Sequence, residues 1–155
     1  MKGLKGINTV IGNLNKEFIK IKSKSVAGLI EASIVIRRDM DQRPPLIPVN
    51  LGNLRSSWFT VTATSTPVKG GNFKGKNKGE LAANHGKVAG EAKTKTKLAG
   101  RPLLIMGFTA NYAQKVHEYE ARSPNRPGSG PYFFSSALER NEATLLAILK
   151  GTMKL

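Results

Sequence analysis

The chain has 155 residues, a mass of 16.8 kDa and 39% hydrophobic residues, which is enough for one core and too short for two comfortable domains. Its 25 Lys and Arg residues outnumber 10 Asp and Glu residues, and the net charge of +15 excludes an acidic or charge-balanced surface and favours anionic partners. With no cysteine and two histidines, disulfides, thiolate zinc sites and all-histidine metal sites are excluded. We therefore predict one domain over residues 1–155, without metal or cofactor.

The N-terminal segment predicts a long amphipathic helix. Most of its apolar residues follow one another in steps of three, four or seven, the spacing of one helical face: Leu4, Ile7, Ile11, Leu14, Phe18, Ile21, Leu29, Ile36 and Met40. Gly12 and Gly28 weaken the interior and mark the points at which this helix could bend or break. Pro44 and Pro45 lack amide donors and predict its end at Asp41 or Gln42.

Charged residues interrupt every apolar run near the N-terminus, which is not the pattern of a secretory signal. The sequence contains no apolar stretch of 18 residues, the length needed to span a membrane. We expect a protein made in the cytoplasm, kept there or packaged from there, with no membrane partner.

Two short strands and a basic segment are predicted in the middle of the chain. Asn50 is placed to cap a short helical turn through Ser56, and residues 58–66 are rich in the Thr, Val and aromatic residues that favour a strand. Residues 69–101 carry a charge of +7, many glycines and few large apolar side chains, so they predict a mobile basic loop or long hairpin. The apolar run 103–109 predicts a second strand.

The C-terminal third predicts two helices. Tyr112 and Val116 share a face of a helix of one or two turns, and the glycines and prolines of residues 123–131 predict a loop. Pro131 suits the first turn of a last helix that ends at Lys150, with Gly151 as its stop. The order of elements predicts an α+β fold, in which a long N-terminal helix and a C-terminal helix pack on a small, mostly antiparallel sheet of three or four strands. The edges of such a sheet must be covered or shared with other subunits.

The residues that could carry chemistry favour a non-enzymatic protein. Residues 70–77 match the spacing of a phosphate-binding loop up to Lys76, but Asn77 stands where Ser or Thr should hold magnesium, and we expect no helix to follow. His117 and Glu118 are sequence neighbours and point to different faces of a helix, and His85 is expected to be solvated. Trp58 is predicted to anchor the core or an interface.

Three stretches in order resemble a known family. They are PVNLGNLRSSW at 48–58, NYAQKVHEY at 111–119 and GPYFFSSALE at 130–139, and they are similar to motifs of the tail-completion, or head-tail joining, proteins of long-tailed bacteriophages. The matching positions are Gly52, Leu54, Arg55 and Ser57, next to Trp58; Tyr112, Ala113, Val116, His117 and Glu118; and Pro131, Tyr132, Phe133, Ala137 and Leu138. This chain departs from the family pattern in having Asn50 and Leu51 where Asp and Thr are usual, and in the long basic segment 69–101.

The resemblance implies a structural protein of the virion neck, a tail-completion or tail-terminator subunit without catalysis. It implies a homo-oligomeric ring, commonly of six copies, placed between the connector of the DNA-filled capsid and the tail tube, with the genome passing through its bore. Its matching residues are then parts of a scaffold and of interfaces. We expect Gly52 to take a positive φ, Arg55 to pair with a carboxylate of its own chain or of a neighbour, and Tyr112 with Val116 to pack the turn against the sheet.

A small nucleic-acid-binding protein is the alternative. The lysines of the basic segment could neutralise phosphates with a salt-dependent affinity: Lys74, Lys76, Lys78, Lys87, Lys93, Lys95 and Lys97. Only Phe73 is available there for stacking on bases, and no Arg-rich recognition helix is seen. The sequence leaves the role of this segment open between a joint of the assembly and a contact with nucleic acid.

Overall fold

The first element of the computed structural model is one unbroken helix, α1 (Leu4–Gln42). The structure describes residues 4–66, 68, 71–118 and 126–153, and the side chains of residues 11–66, 68, 71–118 and 126–152. Helix α1 runs through Gly12 and Gly28 without interruption, and its 39 residues correspond to a length of about 58 Å. It ends at Gln42, as predicted, because two prolines follow closely.

The remaining elements are short except for two helices of 21 residues each. The helices are α2 (Asn53–Ser56), α3 (Lys78–Leu98), α4 (Ala113–Glu118) and α5 (Phe133–Met153), and the strands are β1 (Trp58–Thr62) and β2 (Leu104–Phe108). Within the described residues no helix is both long and apolar enough to cross a membrane.

The sheet consists of β1 and β2, paired antiparallel with Trp58 opposite Phe108 and Thr62 opposite Leu104. The α+β class and the antiparallel pairing are as predicted. The expected third or fourth strand is absent from the described residues, where one isolated bridge joins Leu46 to Ser129. Each strand therefore has one edge without a partner strand in the described part of the chain.

The main core lies between the second half of α1, the start of α5 and the sheet. Ile36, Met40, Phe133 and Ala137 are each at most 1% exposed. Leu54 of α2 belongs to the same cluster. Such burial stabilises the fold by roughly 1.5–3 kcal/mol for each large apolar side chain.

Helix α3 corrects the prediction that residues 69–101 form a basic loop or hairpin, because residues 78–98 of that segment are helical. Its buried positions are spaced by four, four, three and four residues along one face: Leu81, His85, Ala89, Ala92 and Thr96. Ala89 and Ala92 pack on Phe59 and Val61 of β1. The segment buries enough surface to fold because small side chains let the helix lie close to the sheet.

The C-terminal helix α5 begins two residues later and ends three residues later than predicted. Tyr132 has a φ of +57°, outside the helical range, so the helix starts at Phe133 rather than at Pro131. Gly151 does not stop it, and the helix continues to Met153. A side chain on Gly28 of α1 would collide with Thr152, which shows how closely the last turn of α5 approaches α1.

Asp39 joins α1 to α5 at the opposite end of their contact. Its carboxylate accepts hydrogen bonds from the Arg140 guanidinium and, at 2.8 Å, from Asn141 Nδ2. Burial opposes ionisation of Asp39, but these donors and the nearby Arg43 outweigh it, and the pKa of Asp39 lies below its ordinary value. Because residue 39 meets residue 141 and residue 28 meets residue 152, α5 runs antiparallel to α1.

Candidate functional site

The turn at residues 48–58 takes the backbone geometry expected of it. Gly52 has a φ of +82°, a left-handed conformation that disfavours any side chain, and it precedes α2 directly. It stands at the cap position in place of Asn50, so the predicted cap was misplaced. Leu54 is 5% exposed, and the buried Ser57 donates its hydroxyl to the Leu54 carbonyl at 2.8 Å.

Arg55 fastens this turn to α1. Its Nε lies 3.0 Å from Asp41 Oδ1, so it pairs within its own chain, one of the two predicted alternatives. The same carboxylate is approached by Arg37 at 3.3 Å and by Arg126 at 3.7 Å. Burial lowers the pKa of Arg37, and Arg55 and Arg126 add to that shift while Asp41 opposes it. The cluster holds the end of α1, the turn and the segment before α5 together.

The second motif lies on α4. Ala113 and Val116 are half-buried and pack against the main core. His117 Nε2 lies 3.4 Å from the Ser135 amide, from which it accepts a hydrogen bond. Burial lowers the pKa of His117, although the neighbouring Glu118 raises it. Glu118 itself is exposed and accepts a hydrogen bond from Gln114 at 3.0 Å, so it does not act with His117 as a pair.

The expectation that Tyr112 packs beneath the sheet is wrong. Its side chain is 36% exposed and lines a groove of about 290 Å³ together with Leu51, Lys74 and Asn111. The residue precedes α4, so the half-buried face of that helix is supplied by Ala113 and Val116 instead. The remaining contact with protein still raises the pKa of Tyr112 by burial.

The third motif is bound directly to the second. The Tyr132 amide donates to the His117 carbonyl at 2.7 Å. The rings of Tyr132 and Phe133 lie edge-on to the His117 ring, with centroids 5.7 and 5.1 Å away. Phe133 is buried, Pro131 is half-buried and Tyr132 is 53% exposed. The first turn of α5 is therefore held by α4.

An aromatic cluster joins the first motif to the third, and the contact of Phe133 with His117 connects it to the second. Trp58 lies 5.1 Å from Phe108 and 6.0 Å from Phe134, measured between ring centroids, and Phe108 lies 5.7 Å from Phe133. Each pair is edge-to-face, a favoured aromatic geometry. Trp58 and Phe134, which are 76 residues apart in sequence, thus meet beside the strand pair.

The lysines of the basic segment do not form one continuous stripe. Lys74 and Lys76 lie in the loop before α3, and Lys93 is half-buried. Lys74 and Lys76 are exposed, and so are the four remaining lysines on α3, namely Lys78, Lys87, Lys95 and Lys97. At roughly 100° per residue, their spacing distributes them around the exposed faces of α3. Glu80 and Glu91 stand among them.

Contrary to expectation a helix follows the loop 71–77, yet two of the loop's amides are already bonded within the chain. Lys74 N donates to Asn53 Oδ1 at 2.8 Å, and Asn53 Nδ2 donates to the Lys74 carbonyl at 2.9 Å. The amide of Phe73 donates to Gly71 within the loop. These bonds use amides that a phosphate-binding loop would direct at its ligand.

His85 was expected to be solvated and is 2% exposed. Its Nδ1 lies 2.8 Å from Thr109 Oγ1, and its ring lies edge-on to Phe73 with centroids 5.6 Å apart. Burial lowers its pKa. The signal that could have placed it was its position four residues after Leu81 and four before Ala89 on one helical face.

The two histidines take part in separate packing contacts. The described residues contain no group of three or more His, Asp or Glu side chains placed to hold a metal ion.

Comparison with known protein families, curated proteins and solved structures finds no match to this chain.

Proposed function

We propose that this chain is a structural virion protein of the bacteriophage neck, a ring-forming tail-completion or tail-terminator subunit that joins the DNA-filled capsid connector to the tail. Its partners are further copies of itself, the neighbouring neck or adaptor ring and the tail tube, and it acts without catalysis at the head-tail junction. It is assembled in the host cytoplasm. Contact with the genome is incidental and nonspecific.

The observation that supports the proposal is that the three family-like motifs form one structural unit. The Arg55 turn, α4 and the first turn of α5 meet around Trp58 and Phe133. Their residues are held in hydrogen bonds, ion pairs and ring contacts, as expected of a scaffold.

The sheet favours assembly on independent physical grounds. A strand edge without a partner offers backbone donors and acceptors to another chain. The two strands leave one such edge each within the described residues. A closed ring pairs or covers such edges by repeating one contact between subunits.

Removing the chain from its phage tests the proposal. We expect lysates without it to contain DNA-filled heads and complete tails that remain separate, and we expect added purified protein to restore joined particles. Electron microscopy and plaque titre measure both. Joined, infectious particles formed without the protein would contradict the proposal.

The exposure of six lysines supports the alternative, a nucleic-acid-binding protein, enough to require its own test. These lysines are Lys74, Lys76, Lys78, Lys87, Lys95 and Lys97. A neck scaffold is expected to bind duplex DNA modestly at physiological salt. The alternative would be favoured by tight binding whose affinity falls steeply as salt is added, in a plot of the logarithm of the binding constant against the logarithm of salt concentration. Changing all six lysines to Gln should then flatten the slope of that plot by several units.

A further inference from the structure

We infer that the N-terminal half of α1 is a docking surface for an acidic amphipathic helix of a partner protein. This surface, called the α1 seam below, consists of Ile11, Leu14, Phe18 and Ile21. The inference stands whether or not the protein belongs to a phage neck.

The α1 seam lies on a part of the helix that the described residues of the chain leave uncovered. Every described non-glycine residue from Ile11 to Ile21 is exposed. Near the end of α5, Thr152 lies against Gly28 of α1. About 36 Å of α1 lies before that point.

The α1 seam contains large apolar side chains with substantial exposure. Leu14 and Phe18 are each 64% exposed, Ile11 is 49% exposed and Ile21 is 37% exposed. Single exposed apolar residues are ordinary on protein surfaces, whereas an aligned row of this kind marks an interaction site.

The spacing selects a helix as the occupant. Steps of three, four and three residues are the a and d positions of a heptad repeat, the pattern of a coiled-coil seam. In the sequence, Leu4 and Ile7 continue the same repeat towards the N-terminus. Ile19 is also 63% exposed, but it lies about 100° around the helix from Phe18 and outside the a and d positions.

The face that carries the α1 seam also sets the direction of approach. At 3.6 residues per turn, Phe18 and Ile36 are five turns apart on one side of α1, and Ile36 faces the core. Helix α5 already packs on α1 beyond Gly28. The partner helix therefore fits along α1 ahead of the end of α5, where the described chain leaves the row open.

Charge selects an acidic partner over a second copy. From Ile11 to Ala27 the helix carries four lysines and one acid, Glu17, which pairs with Lys20 at 3.6 Å. Lys22 occupies an e position and Lys24 a g position, where coiled coils place their interhelical ion pairs, and these two lysines outnumber Glu17, which occupies the other g position. A second copy docked at this seam would bring the same lysine-rich segment, with Glu17 as its one acid between Ile11 and Ala27.

A designed peptide provides the test. The probe is a helix of three heptads with Leu at a and d and Glu at e and g, labelled with a fluorophore; the control peptide has Lys in place of Glu. We expect the full-length protein to bind the acidic peptide and to bind the basic one at least about tenfold more weakly, a loss of about 1.4 kcal/mol.

Protein variants locate the binding site. Leu14→Gln and Phe18→Gln should each weaken binding of the acidic peptide about tenfold or more, because each removes a large apolar side chain that the peptide would bury. Ser23→Gln, on the far side of α1, should leave the affinity unchanged. These residues are exposed, so circular dichroism should report the same fold in every variant.

Three results would overturn the inference. The first is absence of binding to the acidic peptide, or equal binding to both peptides. The second is self-association in sedimentation experiments that Leu14→Gln abolishes and the acidic peptide does not compete with, which would assign the α1 seam to a second copy. The third is stronger binding to vesicles of anionic lipid than to the peptide, lost in Phe18→Gln, which would assign it to a membrane surface.

Discussion

His85 connects the stability of this fold to pH. Burial holds the pKa of His85 below the ordinary value of 6.5, and His117 is shifted in the same direction for the same reason. Below pH 6.5 the unfolded chain therefore takes up protons that the folded chain does not, so stability is complete above that pH and falls as the pH decreases towards the folded pKa values.

We predict that urea unfolding of the wild type gives a lower free energy at about pH 5.5 than at about pH 7.5. The variant His85→Gln should be less stable at neutral pH, because it disturbs a buried contact, and should lose part of the pH dependence. His117→Gln should remove a further part. Equal wild-type stability at both pH values would contradict the assignment of His85 to a buried, neutral state.

Phe133 and Tyr112 distinguish the core from its rim. Phe133 is 1% exposed and packs against the rings of Phe108 and His117. Tyr112, in contrast, is 36% exposed and lines a groove. We predict that Phe133→Ala costs about 3–5 kcal/mol of unfolding free energy, as for other buried aromatics. Tyr112→Ala should cost less than half as much. Similar losses, measured by urea denaturation, would show that Tyr112 belongs to the core.

Among the secondary-structure elements, the helicity of α3 can be tested at two glycines within it. Gly86 and Gly90 lie in its interior, and a side chain at either would meet open space. Changing each to Ala should raise the free energy of unfolding by about 0.5–1 kcal/mol, because Gly is a poor helix former. Thermal or urea denaturation measures this gain, with Gly52→Ala as the control of opposite sign. No gain from either change would indicate that residues 78–98 are not held as a helix.

The elements that sequence reasoning predicted correctly are those with strong local signals. The periodic apolar row of α1, the prolines after Gln42 and the Thr- and Val-rich strand β1 each specify their structure within a few residues. The positive φ of Gly52 and the ion pair of Arg55 were likewise accessible, because glycine and a single arginine in a tight turn have few physical roles.

Helix α3 was missed because its signal is made of small residues. Ala89, Ala92 and Thr96 bury little area individually, and the lysines and glycines between them resemble a solvated loop. Its contact with β1 depends on close approach to a strand distant in sequence, which composition does not reveal. The ionic contacts of Asp39 and Asp41 also depend on partners far along the chain, namely Arg126 and Arg140.

In the molecule as a whole positive charge is in excess, and two of its ten acidic residues, Asp39 and Asp41, form ion pairs within the fold. Asp39 and Asp41 hold α1 to α5 and to the Arg55 turn, so the acids nearest the core are already committed within the chain. The net charge of +15 then remains to be balanced outside the molecule. An assembly beside packaged DNA and acidic partner helices would supply that balance.

An averaged electron cryomicroscopy map of the head-tail junction tests the neck assignment most directly. We predict a closed ring at that junction, in which each subunit accommodates the strand pair, α3, α5 and the long α1 as one body. Density for this chain in the capsid shell, or its absence from purified particles, would contradict the account.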